Sequence, residues 1–144
     1  MSRYGSGVGS AGPLERQQKN LALILARQFA SALGMPMFIA DAEGRLVFYN
    51  EAAEELLGRT FAETGEISAR EWTQRLAPES LDGSSLPFEE RPTGVAFTER
   101  RPAHASLRIT DFEGRAREIS ATALPLYAQE ADFLGVLVIF WEAH

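Results

Sequence analysis

Beyond residue 34 the apolar positions fall into short runs separated by turn-forming residues, and the runs predict strands. Phe38, Ile39 and Ala40 lead into Asp41-Ala42-Glu43-Gly44, where Asp41 is expected to close an Asx turn and Gly44 to take positive φ. Leu46–Tyr49 is a second β-rich run. It stops at Asn50, whose side chain is suited to cap a helix beginning at Glu51, with Glu51, Glu54 and Glu55 near the positive helix end and Gly58 as the stop. The same arrangement recurs downstream, where Asp111-Phe112-Glu113-Gly114 joins the strand-like runs Ala105–Thr110 and Arg115–Leu124, and Pro125 is expected to end the second. Phe133–Trp141 is almost wholly apolar, too short to span a bilayer, and predicts a last, buried strand.

Three other segments are expected to be helical. From Leu14 to Leu33, residues Leu21, Ile24, Leu25, Phe29, Ala32 and Leu33 form a broad apolar face, and Gly34 and Pro36 end the run. Glu66–Leu76 carries Ile67, Trp72 and Leu76 among polar residues and predicts a short helix before Pro78. Leu81–Pro87 is a turn-rich loop, followed by a helix from Phe88 or Glu89 to about Glu99, with Pro92 in its first turn and Gly94 weakening it. Residues 1–13, rich in Gly and Ser, are expected to form a flexible tail, so the chain divides into 1–13, a flanking helix over 14–34 and a domain over 35–142.

The order of two strands, a helical middle and three strands, with an apolar strand, D-x-x-G, a second strand, Asn and a short helix at its start, resembles the PAS sensor domain family. The resemblance covers residues 35–142 and rests on element order, spacing and the paired turns Asp41–Gly44 and Asp111–Gly114. It implies an α+β fold, a five-stranded antiparallel sheet with helices on one face and an N-terminal flanking helix. In the family a similar acidic, Pro-containing segment precedes a helix beside the ligand cavity, and Thr98–Pro102 fills the linking role to the third strand.

Alternation assigns the faces of the sheet. Leu107 and Ile109 alternate with Arg108 and Thr110, and Ile119, Ala121 and Ala123 with Glu118, Ser120 and Thr122. The last strand is apolar in both phases; the sequence reading takes Gly135 and Leu137 as inward and Val136 and Val138 as outward. Small inward residues, Ala40, Ala121, Ala123 and Gly135, leave room for an apolar cavity, and a core filled by Phe38, Phe48, Phe61, Trp72 and Phe97 is the alternative. The expected cavity lining is Phe38, Ala40, Leu57, Trp72, Thr93, Phe97, Leu107, Ile109, Ile119, Ala121 and Leu137. A parallel-type homodimer is expected through Leu21, Ile24, Leu25 and Phe29 of the flanking helix and the outer face of Val136 and Val138. Asn50 and Asp41 are expected to be structural.

Composition narrows the chemistry. With 144 residues the chain suits one domain, and with no cysteine it excludes disulfides, thiolate metal sites and a cysteinyl flavin adduct. Residues up to Gly34 carry +3 and the remainder −9 of the net charge of −6, an acidic balance that argues against nucleic-acid binding. The polar, Gly/Ser-rich start lacks the apolar core of a secretory signal, so a cytoplasmic protein that does not enter a membrane is expected. A haem sensor of the resembled family would need a His on the helix before the third strand, and 88–99 has none; His104 is expected at the surface. Haem and flavin are both disfavoured, the cofactor is left unknown, and no metal site is expected. Ser106 beside His104 lacks a nucleophile elbow, and the pairs Glu54-Glu55 and Glu89-Glu90 suit a solvated face, so no catalytic residue is assigned.

The function implied by the resemblance is sensing and protein interaction in bacterial-type signal transduction: a small apolar ligand or a partner changes the sheet or its flanking helix. The change would pass to a kinase, cyclase, phosphatase or regulator, in trans or within a longer chain. A structural dimerisation module with a filled core, or a small α+β enzyme with a lipophilic pocket, are the competing classes.

Overall fold

A computed structural model describes Ile24, Leu25, Gln28, Phe29, Ala32 and residues 34–129 and 132–143. The expected tail over 1–13 and Leu21 lie outside the described residues. The first hairpin pairs β1 (Met37–Asp41) with β2 (Leu46–Tyr49), and its turn forms because Asp41 Oδ1 accepts from the amides of Glu43 and Arg45 at 2.9 and 3.0 Å while Gly44 sits at φ 83°. Asn50 then begins α1 (Glu51–Leu57). Its Oδ1 accepts from Ala53 N and Met37 N, both at 3.0 Å, and its Nδ2 donates to Met35 O at 2.8 Å. One buried side chain therefore caps the helix and ties it to the first strand.

Four further helical elements follow among the described residues. α2 (Phe61–Thr64) carries a capping box between Thr60 and Glu63, a T-x-x-E signal present in the sequence that the pattern reading passed over. α3 (Ala69–Leu76) starts at Ser68, which accepts from Glu71 N, and buries Trp72. The helix expected from Phe88 to Glu99 is divided into a 3-10 turn, Phe88–Glu90, and α4 (Pro92–Glu99). Pro92 causes the division, since the residue before a proline is driven out of the helical region and Arg91 has φ −77° and ψ 149°.

β3 (Ala103–Thr110), β4 (Ala116–Tyr127) and β5 (Phe133–Glu142) complete a five-stranded antiparallel sheet of order β2-β1-β5-β4-β3. Pro125 does not end β4; it pairs with Val136. β3 begins opposite Ala123, so at Pro125 β4 has a strand neighbour only on the β5 side.

The main core lies between one sheet face and the helices, where Ala53, Leu57, Trp72 and Ala96 meet Leu107, Ile109, Ile119, Ala121 and Ala123. Val136, Val138 and Phe140 belong to this core, which corrects the phase expected for β5. Val136 is 0% and Val138 2% exposed, so neither can form part of a dimer surface in this fold. Leu137 lies on the opposite face with Met37 and Ile39. Cross-strand pairing sets this phase: Val138 stands opposite Phe38 and Ala123, Leu137 opposite Ile39 and Leu124. Ile24, Leu25 and Phe29 are helical and 49–55% exposed.

The two D-x-E-G turns differ in burial. At the second, Asp111 Oδ1 accepts from Glu113 N and Arg115 N, both at 2.9 Å, while Oδ2 accepts from Arg117 Nε at 3.0 Å. Arg117 also donates to Glu142 at 2.9 Å, which joins this turn to the end of β5. Burial pushes the Asp111 carboxyl up, but the Arg115 amide, the Arg117 guanidinium and the Glu113 amide together hold it below the ordinary range.

Candidate functional site

Between the sheet and the helices the core leaves a cavity of about 60 Å³. That is several times the roughly 10–15 Å³ that admits one water. Its floor is the inner sheet face: Phe38, Leu46 and Tyr49 from the first hairpin, Leu107 and Ile109 from β3, Ile119 and Ala121 from β4, and Val138 and Phe140 from β5. Leu57, Trp72, Leu76, Pro78 and Phe112 line it from the helical side, and Phe88, Arg91, Pro92 and Thr93 from the segment that opens α4.

Local contacts hold the wall in place. Trp72 donates its indole N–H to Gly44 O at 3.1 Å and stands edge-on to Phe38 at 5.4 Å, so α3 is pinned to the first hairpin. Phe38 also meets Phe140 at 6.0 Å. Tyr49 donates to Arg59 O at 2.9 Å, and its burial raises the phenol above its ordinary value. Gly94 allows the 3-10 turn to lie on α4: a Cβ there would stand 1.7 Å from Phe88 O.

Of the residues expected around a cavity, Phe38, Leu57, Trp72, Thr93, Leu107, Ile109, Ile119 and Ala121 line it. Three do not. Ala40 has the inward phase expected but is fully buried outside the lining, and Leu137 is on the other sheet face. Phe97 packs instead between Phe88, at 6.1 Å, and Phe133, at 5.7 Å.

The sequence reading missed Arg91, among the described residues the one in the lining with a formal charge. Its Nε donates to Leu86 O at 2.9 Å and its guanidinium lies 5.9 Å from the Phe88 ring centroid. Burial lowers its proton affinity relative to a solvated arginine. Its position next to Pro92 was the available signal, because a residue held extended beside a helix start can turn its side chain along the helix end.

On the outer sheet face His104 bonds Thr122 Oγ1 at 2.7 Å and stacks on Trp141, while Ser106 bonds Ser120 at 3.1 Å. Ser106 and His104 are thus each engaged across the β3–β4 ladder. Among the described residues no group of three or more His, Cys, Asp or Glu side chains is placed to hold a metal, and no helix is long and apolar enough to cross a membrane.

Comparison with known proteins places this arrangement. The PAS fold family model matches residues 30–143. A search of curated proteins returns no match. Among solved structures, the PAS domain of Bordetella pertussis BvgS is similar at 19% identity, with 84% of each chain covered and a TM-score of 0.57. The PAS domain of the nitrogen regulation protein NR(II) from Vibrio parahaemolyticus is 15% identical, with 83% of this chain and 98% of that one covered and a TM-score of 0.60. The Rhodobacter sphaeroides LOV protein is 16% identical over 86% of this chain and 68% of its own, with a TM-score of 0.67. The family match over most of the chain, on a sheet and helical layer of the same kind, means that this protein belongs to the PAS fold family.

Proposed function

We propose that this PAS domain senses a small molecule held in the cavity between sheet and helices and relays its occupancy to a signalling protein, without catalysing a reaction. The observation that carries this reading is the cavity, walled by Phe38, Trp72, Ile109, Ile119 and Ala121 inside an otherwise packed core. An apolar group entering it gains on the order of 25 cal/mol per Å² of buried surface, before ordering costs. The relay would run through β5, which pairs with both β1 and β4 and ends at the Glu142–Arg117–Asp111 network.

Ala121→Leu tests the cavity. Ala121 lines it and stands opposite Ala105 and Phe140, so the larger side chain has space to enter. Stability should stay within about 1 kcal/mol of the parent in denaturant titration, and binding of small apolar probes should be lost. Overpacking of a filled core typically costs about 1–3 kcal/mol. A loss in that range would favour a packed module that acts by interaction alone.

The homodimer proposal now rests on Ile24, Leu25 and Phe29, which are exposed, and no longer involves Val136 or Val138. Leu25→Glu with Phe29→Glu should give a folded monomer. Sedimentation of the parent as a monomer at high micromolar concentration would remove the dimer from the proposal.

A further inference from the structure

Apart from Tyr49 and Trp72, whose polar atoms bond Arg59 O and Gly44 O, the polar side chains of the cavity lie where α4 begins. Thr93 is 8% exposed and lines the cavity, and its hydroxyl makes no hydrogen bond among the described residues while the oxygen itself keeps accessible surface. α4 has no side-chain cap, and Pro92 at its start has no amide to donate. Two residues before Thr93, Arg91 is anchored through Nε to Leu86 O, so its two remaining nitrogens are left for another acceptor. No ion pair joins Arg91 to Glu89, Glu90 or any other acid among the described residues. A half-buried cation, an unbonded hydroxyl on a buried residue and a helix start without a side-chain cap thus adjoin a wall that is largely apolar.

From this juxtaposition we infer that the ligand is a small amphipathic carboxylate, with its ring or short alkyl chain among Leu107, Ile109 and Ala121 and its carboxylate on Arg91 and Thr93. The inference rests on the reading of the cavity as a ligand site and specifies the chemistry of that ligand. A guanidinium offers paired donors to a carboxylate, and such charge-assisted bonds are about twice as strong as neutral ones. The helix start favours the same sign of charge. A neutral ligand of equal size could offer Arg91 only a neutral acceptor, which forms a weaker bond than a carboxylate does. Burial already disfavours the charged form of Arg91, and an anion beside it would restore that loss.

Isosteric pairs decide the matter: hexanoate against hexanamide, and 4-ethylbenzoate against 4-ethylbenzamide, titrated calorimetrically into the full chain at pH 7.5. Each carboxylate should bind about ten-fold or more tightly than its neutral partner. Arg91→Gln should remove that preference while leaving the neutral probes bound, Arg91→Lys should keep part of it, and Thr93→Val should reduce it. If a variant does not fold, the ratio within each pair on the parent protein is sufficient. Neutral probes binding as well as the carboxylates would overturn the inference and leave the cavity reading intact. Failure of all four probes would overturn the cavity reading and the inference with it.

Discussion

Gly94→Ala is expected to lower the melting temperature by roughly 10 °C, equivalent to about 3 kcal/mol for a domain of this size. The sign is unusual. Alanine in place of glycine inside a helix ordinarily stabilises by about 1 kcal/mol. Here the added Cβ would stand 1.7 Å from Phe88 O and 2.6 Å from Phe88 C, backbone atoms that cannot swing aside as a side chain can. Relief requires the 3-10 turn to lift from α4. Phe88, Arg91 and Thr93 all border the cavity, so ligand binding should fall together with stability. A variant that melts at or above the parent temperature would show that the turn does not lie this close to the helix.

Asp111→Ala should be as damaging, because the carboxylate is a buried acceptor for two amides and for Arg117. Removing one partner of a buried charged pair typically costs about 3–5 kcal/mol. The lower end is expected, since Arg117 keeps Glu142 and part of its exposure to water. Asp41→Ala, at an exposed turn with the same pair of amide bonds, should cost clearly less. The acid dependence follows from the direction of the Asp111 shift. Its folded-state pKa is depressed, so its contribution is complete above the unfolded value of about 3.9 and is lost as the pH falls through the lower folded value. The stability gap between the parent and Asp111→Asn should therefore be flat near neutrality and narrow below about pH 4. A gap that persisted unchanged into strong acid would show that the charge of Asp111 is not what stabilises the turn.

The effect of either substitution on signalling separates two routes. Gly94 acts at the cavity, whereas Asp111 acts through Arg117 and Glu142 at the end of β5. Under the proposed relay, a tolerated change at Asp111, such as Asn, would leave probe affinity intact while altering what the end of the strand transmits.

Local chemistry determined much of this protein. Asp41 with Gly44, Asn50 before α1 and Asp111 with Gly114 each use a side chain to satisfy amides within four residues, so their geometry is written in adjacent positions. Alternation gave the inward faces of β3 and β4 for the same reason: each has one apolar and one polar phase, and a one-residue slip would bury Arg108 or Glu118. β5 had no such preference. Both its phases are apolar, and only its pairing with β1 and β4 turned Val136 and Val138 inward and Leu137 outward. The polar end of the cavity was likewise decided by tertiary structure. Pro92 separates the 3-10 turn from α4 through a local restriction, but Gly94 must then accept the backbone of Phe88 before Arg91 can border the same space as residues of β3 and β4, and a contact between surfaces brought together only by folding leaves no period in the sequence.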